Sequence, residues 1–106
     1  MDIEQAARIL EKLGHPTRLE IVRLLVRAGP DGLPVGDVQR HLGIPASTLS
    51  HHLSQLVAGG LVSQCRVGRK LVCGVEFDRM TALVSMLTEN CCAGVTVTRE
   101  VDLEPA

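Results

Sequence analysis

Two adjacent cysteines near the carboxyl end, Cys91 and Cys92, are the residues of this chain best suited to chemistry. Thiolate sulfur binds soft, thiophilic ions, and two neighbouring thiols chelate one ion at a high effective concentration. Consecutive helical residues project about 100° apart, so the two thiols cannot converge inside an intact helix. Asn90 and Gly94 are residue types at which a helix can end, and such an end would let the thiols act together.

A second set of polar residues lies on one face of a helix predicted to begin after Pro45. The opposite face has the i, i+3, i+4, i+7 spacing of a buried stripe and consists of Leu49, His52, Leu53 and Leu56. The polar face has short hydrogen-bonding side chains and no carboxylate, which suits base edges and phosphates in the major groove of DNA. We predict that this face binds DNA through Ser47, Thr48, Ser50, His51 and Gln55.

The charge distribution also indicates a polyanion as the partner. The formal net charge is −1, but residues 38–75 contain no carboxylate and four Lys or Arg side chains: Arg40, Arg66, Arg69 and Lys70. A basic surface on an otherwise acidic molecule is typical of proteins that bind nucleic acid. We expect Arg66, Arg69 and Lys70 to contact phosphate or the minor groove. Arg40 could contact the DNA backbone or only solvate its own helix.

The composition excludes several other classes of protein. With 106 residues, 45% of them apolar, the chain can build one domain around one core. Phe77 is the only aromatic residue, which argues against the stacking platforms of proteins that bind RNA or single strands. No apolar run approaches the ~20 residues that span a bilayer, and the first residues lack a signal-peptide pattern. We therefore expect a cytoplasmic protein whose four cysteines stay reduced.

The predicted elements form a fold that is mainly α with a small β-hairpin. Two β-rich runs, 61–67 and 71–75, surround a basic tip at Val67-Gly68-Arg69-Lys70. A short helix, a turn at Gly43 and the polar-faced helix make a helix-turn-helix pattern. The predicted helices run from Ile3 to Leu13, from Pro16 to Val26, from Val35 to Leu42, from Pro45 to Leu56 and from Phe77 to Asn90.

The last helix is more apolar than one small core requires. Its stripe, with Ala82 and Met86 beside it, consists of Met80, Leu83, Val84 and Leu87. We interpret the excess as a dimer surface. We assign residues 1–92 to one DNA-binding and dimerisation domain. Residues 93–106 follow the helix and contain alternating Val and Thr and then acidic residues. We expect these residues to form a poorly ordered tail.

The order of these elements resembles the ArsR-type (ArsR/SmtB) winged helix-turn-helix repressors. The resemblance covers most of residues 5–92 and is carried by four segments: Leu13-Gly14-His15-Pro16-Thr17-Arg18-Leu19-Glu20-Ile21, Val35-Gly36-Asp37-Val38, Ser47-Thr48-Leu49-Ser50-His51-His52-Leu53 and Ala58-Gly59-Gly60-Leu61-Val62. The resemblance implies a homodimer that occupies an inverted-repeat operator in double-stranded DNA. It also implies that a metal, a metalloid or an oxidant releases the protein from that operator.

The resemblance narrows the choice of effector. Where some members have two metal-binding cysteines in the third helix, this chain has Pro34 and Gly36. Other members bind a metal through carboxylates and histidines on the last helix. The last helix of this chain has Asp78 and Glu89 but no histidine, which argues against such a site. The segment that ends in Cys91 and Cys92 resembles the arsenic-responsive branch, which implies As(III) as the inducing ligand and no obligatory cofactor. Some members add a third cysteine after such a pair, and none follows here.

Other chemistry remains open for the thiol pair. Pyramidal As(III) needs a third donor, which could be water, a small thiol, a cysteine of a second subunit or the carbon of an organoarsenical. Because the chain supplies only two thiols, methylarsenite is an alternative ligand. Sb(III) is another alternative. A redox switch is the main competitor, although a disulfide between neighbours is strained because adjacent Cα atoms lie only ~3.8 Å apart. A disulfide between subunits would avoid that strain. The two thiols could also simply pack at a helix end.

Two functions of other classes are weaker alternatives. A thiol-dependent arsenic-handling enzyme would need a base, and Glu89 is the only one near the pair. The chain also lacks a CxxC motif and a Gly-rich phosphate loop, so we expect no enzyme. A winged helix used only for protein interaction would not need a span without carboxylates.

Several residues near the predicted sites have structural explanations. Ser47 could cap its helix instead of contacting DNA. His52 lies within the apolar stripe, so we expect it to be packed and hydrogen-bonded. For His15 and Arg18 we expect helix capping or packing between helices. Cys65 and Cys73 flank the hairpin tip and could face each other across the strands, but we expect apolar strand residues in a half-buried hairpin.

Overall fold

The computed structural model describes residues 1–96, which form five helices and a small antiparallel sheet. The elements are α1 Ile3–Leu13, α2 Pro16–Ala28, β1 Leu33–Pro34, α3 Val35–Leu42, α4 Ala46–Ala58, β2 Val62–Val67, β3 Lys70–Val75 and α5 Phe77–Thr88. This is the predicted class, mainly α with a small β-hairpin, in the order of a winged helix-turn-helix. No helix within residues 1–96 has the length and apolar character needed to cross a bilayer.

Local signals explain the first two helices. Asp2 and Gln5 form a capping box at the start of α1, in which the Gln5 backbone N–H donates to Asp2 Oδ1 at 2.7 Å. His15 is the N-cap of α2, where its Nδ1 accepts a hydrogen bond from the Thr17 backbone N–H at 3.1 Å. Pro16 occupies the first position of α2, where a missing N–H costs nothing. The predicted starts of α1 and α2, and the capping role of His15, are confirmed.

The core lies where α1, α2 and α4 meet the sheet and α5. Its buried apolar side chains are almost all aliphatic, as the composition requires, and its largest fully buried members are Ile9, Ile21, Leu25, Val38, Leu49, Leu53, Leu56, Leu61 and Cys73. His52 is the one buried polar residue within the described part of the chain. This core fixes α4 along one side only and leaves its opposite side in solvent.

The sheet has the strand order β1-β3-β2. β2 pairs with β3 from Val62 opposite Val75 to Val67 opposite Lys70, so the predicted hairpin and its tip are confirmed. Sequence patterning did not predict β1, which pairs with β3 through Leu33 opposite Cys73 and Pro34 opposite Val72. Because α3 starts at the residue after β1, this pairing ties the first turn of α3 to the hairpin.

The two hairpin cysteines do not face each other. Cys65 lies opposite Val72, whereas Cys73 lies opposite Gln64, so their side chains are on opposite faces of the sheet. Cys73 is buried, its Sγ donates to the Leu33 carbonyl at 3.4 Å, and burial raises the pKa of its thiol. The prediction of an apolar strand residue is right for Cys73 and wrong for Cys65, which is exposed.

The last helix is shorter than predicted. α5 ends at Thr88, and Glu89 adopts extended backbone with ψ 135°, so the helix does not reach Asn90. Cys91 and Cys92 therefore follow the helix instead of closing it. Residues 93–96 form no helix or strand, and residues 97–106, most of the predicted tail, lie outside the described residues.

Candidate nucleic-acid interface and thiol site

The polar face of α4 is presented to solvent as the sequence predicts. Ser47, Thr48, Ser50 and His51 are exposed, while Leu49 on the other side of the helix is fully buried. Pro45 is the N-cap residue of α4, and no side chain caps that end. The alternative in which Ser47 caps the helix is therefore wrong, because Ser47 is already the second helical residue. Its hydroxyl remains available to a ligand.

His52 is packed and hydrogen-bonded, which confirms the prediction for this residue. It is 7% exposed, and its Nδ1 accepts a hydrogen bond from Arg18 Nε at 3.1 Å. The His15 ring lies against it, with a centroid distance of 4.6 Å. Burial lowers the pKa of His52, and the neighbouring His15, Arg18 and His51 lower it further, so all of these effects favour the neutral ring. Arg18 and His52 thereby join the start of α2 to the middle of α4.

Gln55 differs from the other predicted DNA contacts. It is half-buried, and its Oε1 accepts a hydrogen bond from Lys12 Nζ at 2.6 Å. Lys12 is on α1, and sequence analysis did not identify it as a partner of α4. The only signal was the position of Gln55, three residues after His52, at the edge of the buried stripe. The Lys12–Gln55 bond joins α1 to the side of α4 next to the exposed polar face.

The cationic residues of the predicted interface separate into two groups. Arg66, Arg69 and Lys70 are all exposed on the β2-β3 hairpin, which we call the wing. Arg40 is on α3, where it forms an ion pair with Asp37, one turn earlier in the same helix. Arg69 and Lys70 line a cleft together with Arg40, whereas Arg66 does not.

The thiol pair lies in a tight turn directly after α5. Asn90 and Cys92 both adopt left-handed backbone, with φ of 58° and 61°. The Cys91 N–H donates to the Thr88 carbonyl at 3.1 Å, and the Ala93 N–H donates to the Asn90 carbonyl at 3.1 Å. This turn brings Cys91 Sγ to 3.3 Å from Cys92 Sγ. Both side chains are exposed.

This geometry suits chelation of one soft ion by two sulfurs. An ion bonded at about 2.3 Å to each sulfur would subtend an S–ion–S angle of about 92° at the observed separation. Such an angle matches the pyramidal coordination of a three-coordinate metalloid. Across residues 1–96, no group of three or more His, Cys, Asp or Glu side chains is placed to hold a metal ion. The pair thus supplies two donors, and a third donor has to come from elsewhere.

Comparison with known proteins identifies the family. A family model for a helix-turn-helix domain matches residues 13–65, which contain α2, α3 and α4. The HTH-type transcriptional regulator YgaV of Escherichia coli is 30% identical over 84% of this chain and 88% of its own length. A homodimeric winged helix-turn-helix DNA-binding domain from Mycobacterium bovis, a possible ArsR-family regulator, has 28% identity and a TM-score of 0.66, over 83% of this chain and 82% of that one. The chain belongs to the ArsR-type family of winged helix-turn-helix repressors.

A third similarity concerns a protein connected with arsenic. The crystal structure of a possible transcriptional regulator for arsenical resistance matches this ArsR-type chain with 28% identity and a TM-score of 0.65. The match covers 74% of this chain and 79% of that one. Family membership explains why the polar face of α4 and the cationic wing occur in one small domain.

The ArsR-type chain also exposes large apolar side chains on its first helix and on its last helix. Large apolar side chains with 42% to 74% of their surface exposed are Ile3 and Leu10 on α1 and Val84 and Leu87 on α5. Met1 lines one cavity with Met86 of α5, so the start of α1 lies beside α5. In contrast, Leu83 of α5 is buried in the core. The apolar excess predicted for α5 is thus divided between the core and an outer face.

Proposed function

We propose that this ArsR-type protein is an arsenic-responsive repressor that binds an inverted-repeat operator as a homodimer. In this proposal As(III), or the chemically related Sb(III) or methylarsenite, binds Cys91 and Cys92 and releases the protein from DNA. The observation that carries the proposal is the pair of exposed sulfurs 3.3 Å apart, on a chain of a DNA-binding family. The protein acts in the cytoplasm, needs no other cofactor and catalyses no reaction.

The DNA-binding part of the proposal uses two exposed surfaces. Ser47, Thr48, Ser50 and His51 contact base edges in the major groove, because their short side chains stand on the exposed side of α4. Arg66, Arg69 and Lys70 contact phosphates or the minor groove from the wing. Gln55 supports α4 through Lys12 and reaches DNA only if that hydrogen bond is exchanged.

The ligand step is a condensation without electron transfer. Each thiol loses its proton, one As–S bond forms for each As–O bond of arsenous acid that breaks, and the released hydroxyl leaves as water. The remaining As–O bond, or a further thiol, completes the three-coordinate centre. Because the thiolate is the ligand, one proton is displaced from each cysteine and released within the water that forms.

In this proposal the thiol turn transmits ligand binding to the dimer interface. Cys91 follows α5 after two residues, and α5 exposes Val84 and Leu87 on its outer face. If this face joins two subunits, a ligand that locks or unwinds the end of α5 changes the interface. The two α4 helices then move out of register with two successive major grooves, which lie about 34 Å apart.

The test is fluorescence anisotropy with the protein's own promoter DNA, titrated with arsenite under reducing conditions. We expect a Cys91→Ser/Cys92→Ser variant to keep its operator affinity and to lose release by arsenite. A Cys65→Ser variant is the matched control, since Cys65 is also exposed but is on the wing, and it should be released like the natural protein. Arsenite release that persists in the double variant would contradict the proposal.

The same titration distinguishes the competing uses of the thiols. Release by an oxidant alone, with a dimer that survives a non-reducing gel, would favour a redox switch with a disulfide between subunits. Turnover of arsenite by the pure protein would favour an enzyme. If the complex depends on phosphate contacts, the affinity for DNA should fall steeply as the salt concentration rises.

A further inference from the structure

A cleft lies between the beginning of α3 and the tip of the wing, on a part of the molecule separate from the thiol turn. Its volume is about 280 Å³. The charged residues that line it are Asp37, Arg40, Arg69 and Lys70. Two different elements therefore supply three cations and one carboxylate to a single concave surface.

The cleft is built on paired backbone and not only on long side chains. β1 pairs with β3 through Pro34 opposite Val72, and α3 starts at the next residue, Val35. Lys70 is the first residue of β3, and Leu71 beside it also lines the cleft. The distance between α3 and the wing tip is thus set by strand pairing. The segments that carry the cationic side chains are therefore held near each other before a ligand binds, and binding does not require a mobile segment to become ordered.

The ion pair within the cleft can be exchanged easily. The Arg40 side chain is 76% exposed and that of Asp37 is 41% exposed. Such a solvent-screened ion pair contributes little to stability. Little favourable interaction energy is therefore lost when a different anion replaces the Asp37 carboxylate beside Arg40. Arg69 and Lys70 are exposed on the other side of the same cleft. After exchange, one anion would face three cations.

We propose that this cleft binds a phosphate of the DNA backbone, with Arg40 exchanging Asp37 for the phosphate oxygens. Arginine suits this role because its planar guanidinium can donate two parallel hydrogen bonds to one phosphate. Arg69 and Lys70 hold the same phosphate or its neighbour from the wing. Asp37 competes for Arg40 and therefore weakens binding to every duplex by the same factor. The proposal depends on the DNA binding in the proposed function, but not on the thiols.

The first test is the salt dependence of operator affinity for an Arg40→Gln variant. A lost phosphate contact should reduce the slope of log affinity against log salt by about 1 for each subunit that engages DNA. At about 0.1 M salt we expect roughly tenfold weaker binding. Arg40→Lys, which keeps the charge, should restore most of the slope. Arg23→Gln is the matched control, because Arg23 is an exposed residue of α2 that does not line the cleft.

The second test removes the competing carboxylate. Asp37→Asn should tighten binding about threefold to the operator and equally to an unrelated duplex, since the released Arg40 contacts only the backbone. Tightening on the operator alone would overturn the assignment of the cleft to phosphate. Thermal unfolding of each variant checks that the fold is intact.

The remaining outcomes separate this proposal from the proposed function. If the natural protein binds its operator and Arg40→Gln has the same affinity and slope as Arg23→Gln, the phosphate cleft is wrong and the repressor proposal stands. If the natural protein does not bind its promoter at low salt, both are wrong. If millimolar inorganic phosphate shifts the Arg40 side-chain signals in NMR while Arg40→Gln leaves the DNA affinity and its salt slope unchanged, the ligand of the cleft is a free anion and not the duplex.

Discussion

Among single residues, His52 shows how burial, together with neighbouring rings and a cation, lowers the pKa of a side chain in a helix. Its position in the stripe of Leu49, Leu53 and Leu56 predicts that it is packed, and the structure adds its partner, Arg18. Periodicity can assign a residue to a face but cannot name its partner, which comes from another helix. For the same reason the sequence predicts a DNA contact for Gln55 but not its hydrogen bond to Lys12.

The lowered pKa of His52 predicts a pH dependence of stability. Its usual pKa is near 6.5, and in the folded protein the pKa is lower, so the native state binds fewer protons than the unfolded chain. The free energy of unfolding should therefore have its full value above pH 6.5. It should decrease as the pH falls below 6.5, because the unfolded chain then binds a proton more readily than the native state. Urea denaturation between about pH 5.5 and about pH 7.5 measures this change.

Two variants identify His52 as the source of this dependence. His52→Asn keeps an acceptor near the position of Nδ1 but cannot titrate, so the dependence should become weaker. It should also lower the free energy of unfolding by roughly 1–2 kcal/mol, because the ring leaves a partly empty site. His41→Asn changes an exposed histidine on α3 and should leave the dependence intact. An unchanged pH profile in His52→Asn would refute the assignment.

At the scale of elements, the sequence predicts long periodic segments well and very short or irregular ones poorly. The helix boundaries at Gly14 and Pro16 and the wing tip at Gly68 follow from glycine and proline. β1 has only two residues, too few for any periodicity, and its pairing with β3 is a tertiary contact. The thiol geometry is equally hidden from sequence patterning, since it depends on left-handed backbone at Asn90 and Cys92.

The close packing of β1 against β3 predicts a large effect of substitution at Gly32. This residue has φ +68°, and a Cβ there would lie 2.4 Å from the Cys73 carbonyl oxygen, which is backbone and cannot move aside. Gly32→Ala should lower the free energy of unfolding by about 3 kcal/mol, because backbone strain and the contact act together. It should also weaken operator binding, since β1 positions α3 beside the wing.

Gly43 provides the control for this substitution. It has φ +65° at the end of α3, and a methyl group added to its Cα would meet no atom within 4 Å. Gly43→Ala should therefore cost only the backbone strain of about 1–2 kcal/mol. Chemical denaturation of both variants gives the comparison. Equal losses for the two variants would show that the contact between Gly32 and Cys73 does not matter.

For the whole molecule, the exposed apolar side of α5 is the feature that would connect the thiols to DNA in the proposed function. α5 buries Leu83 in the core and exposes Val84 and Leu87. The sequence predicts that α5 has more apolar side chains than one core needs, because a single small core cannot bury every side of a helix. It does not predict which of these side chains stay outside the core, since that depends on how α5 packs.

This surface predicts that a charge on α5 separates the proposed dimer. Leu87 is 61% exposed, so Leu87→Glu should fold normally as a single chain but should place a carboxylate in an apolar interface. Analytical ultracentrifugation should show a monomer at concentrations where the natural protein is a dimer. Operator affinity should fall by at least about a hundredfold, because a monomer contacts only one half-site. Val26→Glu, on exposed α2 surface, is the matched control and should remain dimeric. If Leu87→Glu still sediments as a dimer, the outer face of α5 is not the interface, and the thiol turn must act on DNA binding by another route.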